Sequence, residues 1–592
     1  MRQAAWKAGV LVLLFLVATL PVGLADLRVP PTNEPRPVHA PIRFSDLAPT
    51  PPTGALNGVQ GDGTEESPFI VEGWTFLVPG AEAVSYPTVG EDDLAPLLFD
   101  HSHAYVVVRH NTFLSESVPI DQLPPLALNI TVPGVAVVSS SNVVVAENEF
   151  VGVGGTRGAV EVTDHRTGEY VNSFLGPIQP EASRDIFVRN NSFVGGPDAI
   201  VSVERSQANI LGNTGTIYAY NTGSSLIHLH LPVGENHVEN NTLDGGPTKA
   251  WVGFWLTTSS PADAPDASVI VANNTFTSTF RGIDTSTWSF WQGEIPVDIR
   301  DNRIAGHDEC GRLSVPGETL ERNEFSGCQY VLFYTDRSTQ LGTTNTFEGK
   351  AIYQLQGLRD QVIEGEGVAW LDGVNLWNVT LRHMHVENIA LNVNLDDVHG
   401  LSIEDSRFDV PLDVHGEDVS LDRVNVSTWA SNTPFCVFDL CTTALALSLD
   451  GPVALRSVVV TGGNSGTQLV VHGSGPVSIR DSTFTGASLV GFDYDASGDP
   501  DCPDATFSNA TFQLNAIGLQ AAPGCGMLAT PGSAFIQNSQ WGLQAPDSLP
   551  HPVDARNAWW GNATGPTSSS NPRGTGDATT GDVQYDPWLT SQ

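Results

Sequence analysis

A short phrase recurs along this chain and limits its fold more than any other feature. Val297, Ile299, Asn302 and Ile304 return at the same spacing as Ile186, Val188, Asn191 and Phe193, and again as Val477, Ile479, Ser482 and Phe484. With the Asn position numbered zero, apolar residues fall at −5, −3 and +2. The same triplet stands at Val106/Val108/Phe113, Val143/Val145/Phe150, Val269/Val271/Phe276, Val379/Leu381/Val386, Leu401/Ile403/Phe408, Val419/Leu421/Val426 and Val453/Leu455/Val460. Position zero is Asn at 111, 148, 191, 241, 274, 302, 323 and 345.

The −5/−3 alternation predicts a short strand with one buried face. The Asn suits a corner, because Asn tolerates the left-handed backbone better than most residues. The apolar residue at +2 begins another inward-facing strand. Ile304 to Phe325 spans 21 residues, Phe325 to Phe347 and Val386 to Phe408 span 22, and Val460 to Phe484 spans 24. Short strands at that period mean a solenoid. A leucine-rich repeat shares the period but needs a leucine-dense pattern with a helical return, and no helix-period stretch lies between these strands. The expected fold is all-β: a right-handed parallel β-helix over residues 57–556, closed by a C-terminal cap at 557–592, with coils stacked at about 4.8 Å. Intervals of 28–43 residues are coils with loops bulging from a corner. Stacking turns positions into columns. The Asn column predicts a ladder of side-chain amides. The −1 column, with Asp301 before Arg322 and Asp405 before Arg423, reads as structural charge pairing worth at most about 1 kcal/mol per pair.

Composition adds the compartment. Arg2 and Lys7 precede an apolar run from Ala8 to Leu20, then Pro21 and the small-residue site Gly23, Leu24, Ala25. This is the pattern of a secretory signal over residues 1–25, cleaved after Ala25, with an uncleaved anchor as the minor alternative. Nothing further along approaches spanning length, so the mature chain is expected to be secreted or at the cell surface, with no membrane span. Residues 30–52 hold eight prolines, and 26–56 reads as an extended linker. The 592 residues carry 66 acids against 27 bases, a formal net charge of −39, which argues against a nucleic-acid partner and suits solubility or cation gathering. Six cysteines in an exported chain imply disulfides, with fifteen possible connectivities. Their clustering favours Cys310–Cys328, Cys436–Cys441 and Cys502–Cys525. The first and last pairs lie about one coil apart, where rung spacing matches the Cα separation a disulfide requires.

Two end motifs carry a family resemblance. The opening, from Gly61, Asp62 and Gly63 to Gly73 and Trp74, looks like the phrase that begins many exported archaeal β-helix domains. The close, Asn557, Ala558, Trp559, Trp560 and Gly561, followed by Pro587, Trp588 and Leu589, is similar to their terminal cap. With the repeats, the chain from about residue 57 onward resembles the NosD-like, CASH-type right-handed β-helix proteins. That resemblance implies the fold. For function it implies only a range, because the class hosts enzymes, adhesins and structural proteins. NosD proteins are associated with maturing a periplasmic copper enzyme, so copper handling is one implied reading.

Candidate chemistry is sparse. Asp397 and His399 would share a strand face opposite Asp396, as orienter and base or as a corner salt bridge. Three His-x-His pairs, His101/His103, His228/His230 and His383/His385, have the spacing to present two imidazoles to a metal, yet each needs a further ligand. Trp251, Trp255, Trp288 and Trp291 read as a sugar-stacking platform or as cover for the wall. The Gly-His-Gly and Arg-Ile-Lys phrases of polygalacturonases and the Arg-x-Pro-x-x-Arg of pectate lyases are absent, as are a Gly-x-Ser-x-Gly elbow and a phosphate loop. Eight Asn-x-Ser/Thr sequons suit an exported glycoprotein. Asp493, Asp495, Ser497, Asp499, Asp501 and Asp504 fall at positions 1, 3, 5, 7, 9 and 12 of a loop with Gly498 at 6. The oxygens at 1, 3, 5, 9 and 12 and the Gly follow EF-hand spacing, so calcium is the expected ion. Position 12 departs from that pattern as Asp instead of Glu, and position 8 is Pro. The leading expectation is a binding or scaffolding β-helix facing a polysaccharide or cell-surface glycan. The alternatives are a polysaccharide lyase or glycoside hydrolase, and a copper-handling protein.

Overall fold

The repeating phrase forms stacked rungs, as its period requires. The computed structural model describes residues 36–45, 59–79, 94–115, 132–153, 158–165, 182–195, 199–217, 224–246, 249–257, 266–286, 295–306, 308–313, 315, 317–328, 340–341, 344–387, 393–427, 443–449, 451–462, 466–473, 475–494, 504–521, 527–547 and 549–592. Val38–Gln592 form one compact unit; of Met1–Pro37, a unit by itself, only Arg36 and Pro37 are described. The described residues hold strands and turns without an α-helix.

Through the first half, each coil crosses three parallel sheets in turn. Face I has nine strands, from Ile42–Phe44 to Glu309–Leu313. Face II has ten, from Phe69–Glu72 to Gln340–Leu341, and contains the −5/−3 residues. Face III carries the +2 residues, as in Thr112–Ser115 and Glu149–Val151. Ile304 pairs with Phe325, Phe325 with Phe347, Val386 with Phe408 and Val460 with Phe484, so each of these periods is one coil. Phe113 pairs with Phe150, and Phe150 with Phe193, so the longer intervals are single coils too. This is a parallel β-helix. The +2 side chains stack inside it. The rings of Phe76, Phe113, Phe150 and Phe193 lie 5.2, 4.6 and 4.8 Å apart in succession. Burying each ring contributes roughly 1.5–3 kcal/mol.

The Asn column is a ladder, and its geometry corrects one expectation. Each Asn is buried, and from Asn148 to Asn345 its Oδ1 accepts the backbone N–H and the side-chain Nδ2 of the Asn one coil earlier, while Asn111 Oδ1 accepts the Trp74 N–H. Asn111 donates both to Asn148, and Asn274 both to Asn302. The Nδ2 also donates to the −3 carbonyl of the preceding coil, as Asn148 does to Val108. The left-handed residue is therefore at −1: His110, Glu147, Asn190, Asp301 and Arg322 have φ between 52° and 57°. That residue turns the chain so that the next side chain points inward, where an amide is retained only if fully hydrogen-bonded. Asn213 belongs to the ladder as well, between Asn191 and Asn241. Its coil lacks the apolar +2 residue because Gly215 sits there. A Cβ at Gly215 would lie 2.6 Å from the Phe193 carbonyl oxygen.

The ladder ends at Asn345, and there the helix changes its internal rule. Thr346–Phe347 folds back antiparallel on the start of Lys350–Gln356, and one apolar core passes to the next around Ile352, Val368 and Trp370. Beyond it, position zero is Met384, Ser406, Val424, Val458, Ser482, Ala510, Ser533 and Ala558. At three of the apolar positions a Ser one coil later accepts the backbone N–H: Met384 donates to Ser406, Val458 to Ser482 and Ala510 to Ser533, at 3.0–3.2 Å. A hydroxyl and an apolar neighbour thus replace two amides.

Both expected boundaries shift. Val38–His39 and Ile42–Phe44, inside the Pro-rich stretch expected to be a linker, are strands of the helix, paired to Thr75–Val78 and Leu97–Asp100. Ile42 and Phe44 are buried, and that apolar alternation outweighs the flanking prolines. At the other end, Val553, Ala555, Ala558 and Trp560 are all fully buried at −5, −3, zero and +2, with Asn557 left-handed at −1. The segment expected as the cap thus begins as one more coil. Trp560 stacks on Phe535 at 4.7 Å, closing the aromatic column, and Gly576–Thr580 and Val583–Gln584 lie over it as the last strands. Cys310–Cys328 is a disulfide. Cys436, Cys441, Cys502 and Cys525 lie outside the described residues, as do residues 1–25.

Candidate binding face

Most charged side chains on the coils pair with one another at corners. Arg322 grips Asp301 through two bonds of 2.7 and 2.8 Å, and Arg423 bridges Asp405 in the same way. These pairs hold Asp301 and Asp405 below the usual carboxylate range, chiefly through the arginine hydrogen bonds. The −1 column is structural. His399 contacts Asp397 at 3.3 Å and Glu417 at 3.4 Å and stacks on Trp377, which makes the Asp397/His399 pair part of a corner contact.

Face I differs. Its core-facing residues are apolar: Val201, Val203, Ile227, Leu229, Phe254, Leu256 and Ile283 are buried. The residues between them point away from the core and line up in register. Glu161 pairs with Ser202, Ser202 with His228, His228 with Trp255, Trp255 with Asp284 and Asp284 with Arg312. A second row runs beside it through Glu204, His230 and Thr257. The row is recessed: Glu161 and Asp284 are only 2% and 3% exposed, His228 and Trp255 are half-buried, and Arg312 is exposed.

Local contacts set the electrostatics. Burial pushes His228 down to about 3, with His230 beside it adding to the shift, so its imidazole is neutral. Burial also lowers His230, whose Nδ1 meets the Thr257 hydroxyl at 2.5 Å. His165 is held by Asp164 at 2.6 Å and faces Glu204 at 3.9 Å. Arg281 donates to Asp284 at 2.9 Å and to Glu309 at 2.5 Å. Burial would depress that guanidinium, but the two carboxylates outweigh it and raise its pKa. Among the described residues, His228 Nε2 and Asp284 Oδ1 are buried polar atoms of the row with no hydrogen-bond partner. An unmet buried polar atom costs about 1–3 kcal/mol, so both are poised for an incoming group.

The sequence candidates distribute unevenly over this map. Only His228 and His230 share a strand face. His101 and His383 are left-handed corner residues with φ of 50° and 54°, so their pairs do not present two imidazoles together. No group of three or more His, Cys, Asp or Glu side chains among the described residues is arranged to hold a metal. Trp255 stacks face to face on His228 at 4.5 Å, and Trp251 on Phe280 at 4.5 Å. Each therefore gives a ring face to a neighbour on an adjacent coil. Trp288 and Trp291 lie outside the described residues. Of the acidic loop, Asp493 is on Val490–Tyr494, and the exposed Asp504 accepts the Met527 N–H at 2.7 Å; Asp495, Ser497, Asp499 and Asp501 lie outside the described residues. Sequence reasoning missed Ser202, Asp284 and Arg312. The signal present was a polar residue set inside an apolar run, as in Val201, Ser202, Val203.

No protein-family model matches the chain, and no curated protein matches it. Among solved structures it is similar to a PL6 family alginate lyase, AlyGC, at 9% identity and a TM-score of 0.20, over 94% of this chain and 96% of that one. No helix among the described residues is long and apolar enough to cross a membrane.

Proposed function

We propose that this chain is an exported β-helix that holds a polysaccharide along face I, as a binding or scaffolding protein. One observation carries the reading: the in-register row Ser202, His228, Trp255, Asp284 and Arg312 mixes donors and acceptors, and two of its buried polar atoms, His228 Nε2 and Asp284 Oδ1, have no hydrogen-bond partner among the described residues. The row runs along the stacking direction, rung by rung at about 4.8 Å, so an extended polymer can meet several rungs at once. A glycan array with the full chain tests this. Asp284→Asn and His228→Ala are expected to weaken binding about tenfold or more, one hydrogen bond's worth. Arg322→Ala, in a corner ion pair, is expected to leave it unchanged. Equal binding by all four proteins contradicts the proposal.

A second reading rests on Arg281, which draws Asp284 and Glu309 to one guanidinium. Two neighbouring carboxyl groups are the ingredients from which acid–base glycoside cleavage is built. An assay for new reducing or unsaturated chain ends, with Asp284→Asn as the inactive control, separates cleavage from holding. Calcium at the Asp493–Asp504 loop remains part of the proposal on its spacing alone.

A further inference from the structure

Resting on the proposal that face I binds a polysaccharide, we infer that its ligand is an uncharged, hydroxyl-rich polymer and not a uronate- or sulfate-bearing one. Along the part of the face that carries the row, from Val160–Thr163 to Glu309–Leu313, the described Asp, Glu, Lys and Arg side chains on the strands and their edges are six acids, Glu161, Asp164, Glu204, Asp284, Asp308 and Glu309, against four bases, Arg205, Lys249, Arg281 and Arg312. The bases are already engaged. Arg281 is held by Asp284 and Glu309, Lys249 by Asp308 at 2.5 Å, and Arg205 and Arg312 also have partners. Both histidines of the rows are held neutral by burial, so neither supplies a cation. An anionic chain would meet an acidic face on a molecule of net charge −39, where every described Lys and Arg of the row's strands and edges is already engaged. The two unpartnered atoms fit a neutral ligand better. Asp284 Oδ1 can only accept, and a neutral imidazole Nε2 accepts or donates according to its tautomer. Sugar hydroxyls do both, whereas a ligand carboxylate only accepts and would face Asp284 acceptor to acceptor.

The test is binding of the full chain to galactomannan, xyloglucan and soluble β-glucan, in parallel with alginate and polygalacturonate, at low and high salt. The expected result is binding to a neutral polymer that salt leaves unchanged, since screening acts only on charge pairs, and that Asp284→Asn and His228→Ala each weaken about tenfold. Arg312→Ala, at an exposed side chain, is expected to weaken binding severalfold and keeps the test decisive if a buried variant fails to fold. Salt-sensitive binding to alginate or polygalacturonate alone, abolished by these variants, overturns the ligand class and leaves the face standing. Binding to a neutral polymer that all three variants retain overturns the face itself. No binding to any of the five polymers overturns both.

Discussion

At the residue scale, this fold is governed by how it satisfies buried polar groups. Asn274 accepts two hydrogen bonds from Asn241 and donates to Val238 and Asn302, so nothing in its amide is wasted. Asn274→Ala strands the Asn241 N–H and is expected to cost about 2–3 kcal/mol. Hydrogen exchange at the Asn241 amide should accelerate accordingly, and unchanged protection would contradict the ladder's role. His228 makes the opposite choice, remaining neutral with an unmet nitrogen. Its folded value, about 3, lies below the ordinary 6.5, so between those values the unfolded chain binds the extra proton. Stability from this group is complete above pH 6.5 and is lost toward 3, at about 1.4 kcal/mol per pH unit. In melting curves between pH 7 and about 4, His228→Phe, which keeps a ring against Trp255, should lose less stability than the wild type. Equal acid losses would show that His228 is not the group responsible. The ladder was legible in the sequence because Asn recurs at a fixed place in a fixed phrase. Its left-handed residue was not, because Asn is common both as an inward amide and as a turn former, and only hydrogen bonding separates the two uses.

At the element scale, the repeat was readable wherever −5, −3 and +2 were all apolar, and those positions pair coil to coil as the spacing requires. It failed where packing forbade one of the three. Gly215 breaks the phrase around Asn213 because the Phe193 backbone and Cβ occupy the space a side chain would need. Gly215→Ala is expected to destabilise by about 1–3 kcal/mol through overpacking, read as a lower melting temperature. A variant as stable as the wild type would mean that the Gly is incidental. Val38–Phe44 escaped notice for a different reason: prolines dominate the local composition, and two short strands on the edge of a stack need few residues. Face I was hidden most thoroughly. Its row is assembled from strands 26–41 residues apart, and only the register that the corners impose brings Ser202, His228, Trp255 and Asp284 into line.

At the scale of the whole molecule, one helical stack is built under two rules, an amide ladder through Asn345 and a mixed column of Ser and apolar residues beyond it, with the same triplet running through both. The solenoid supplies length and rigidity, so that side chains on successive rungs keep one spacing and one direction. That regularity makes a single polar row on an otherwise paired surface informative, and it locates the proposed activity on face I of the first half. Hydrogen–deuterium exchange of the full chain, with and without a saturating neutral polysaccharide, tests this most directly. The account predicts new protection confined to Ala199–Glu204, Ser225–His230, Ala250–Thr257, Thr279–Ser286 and Glu309–Leu313. Protection centred instead on the −5/−3 strands of either half, or none at any strand of face I, would contradict it.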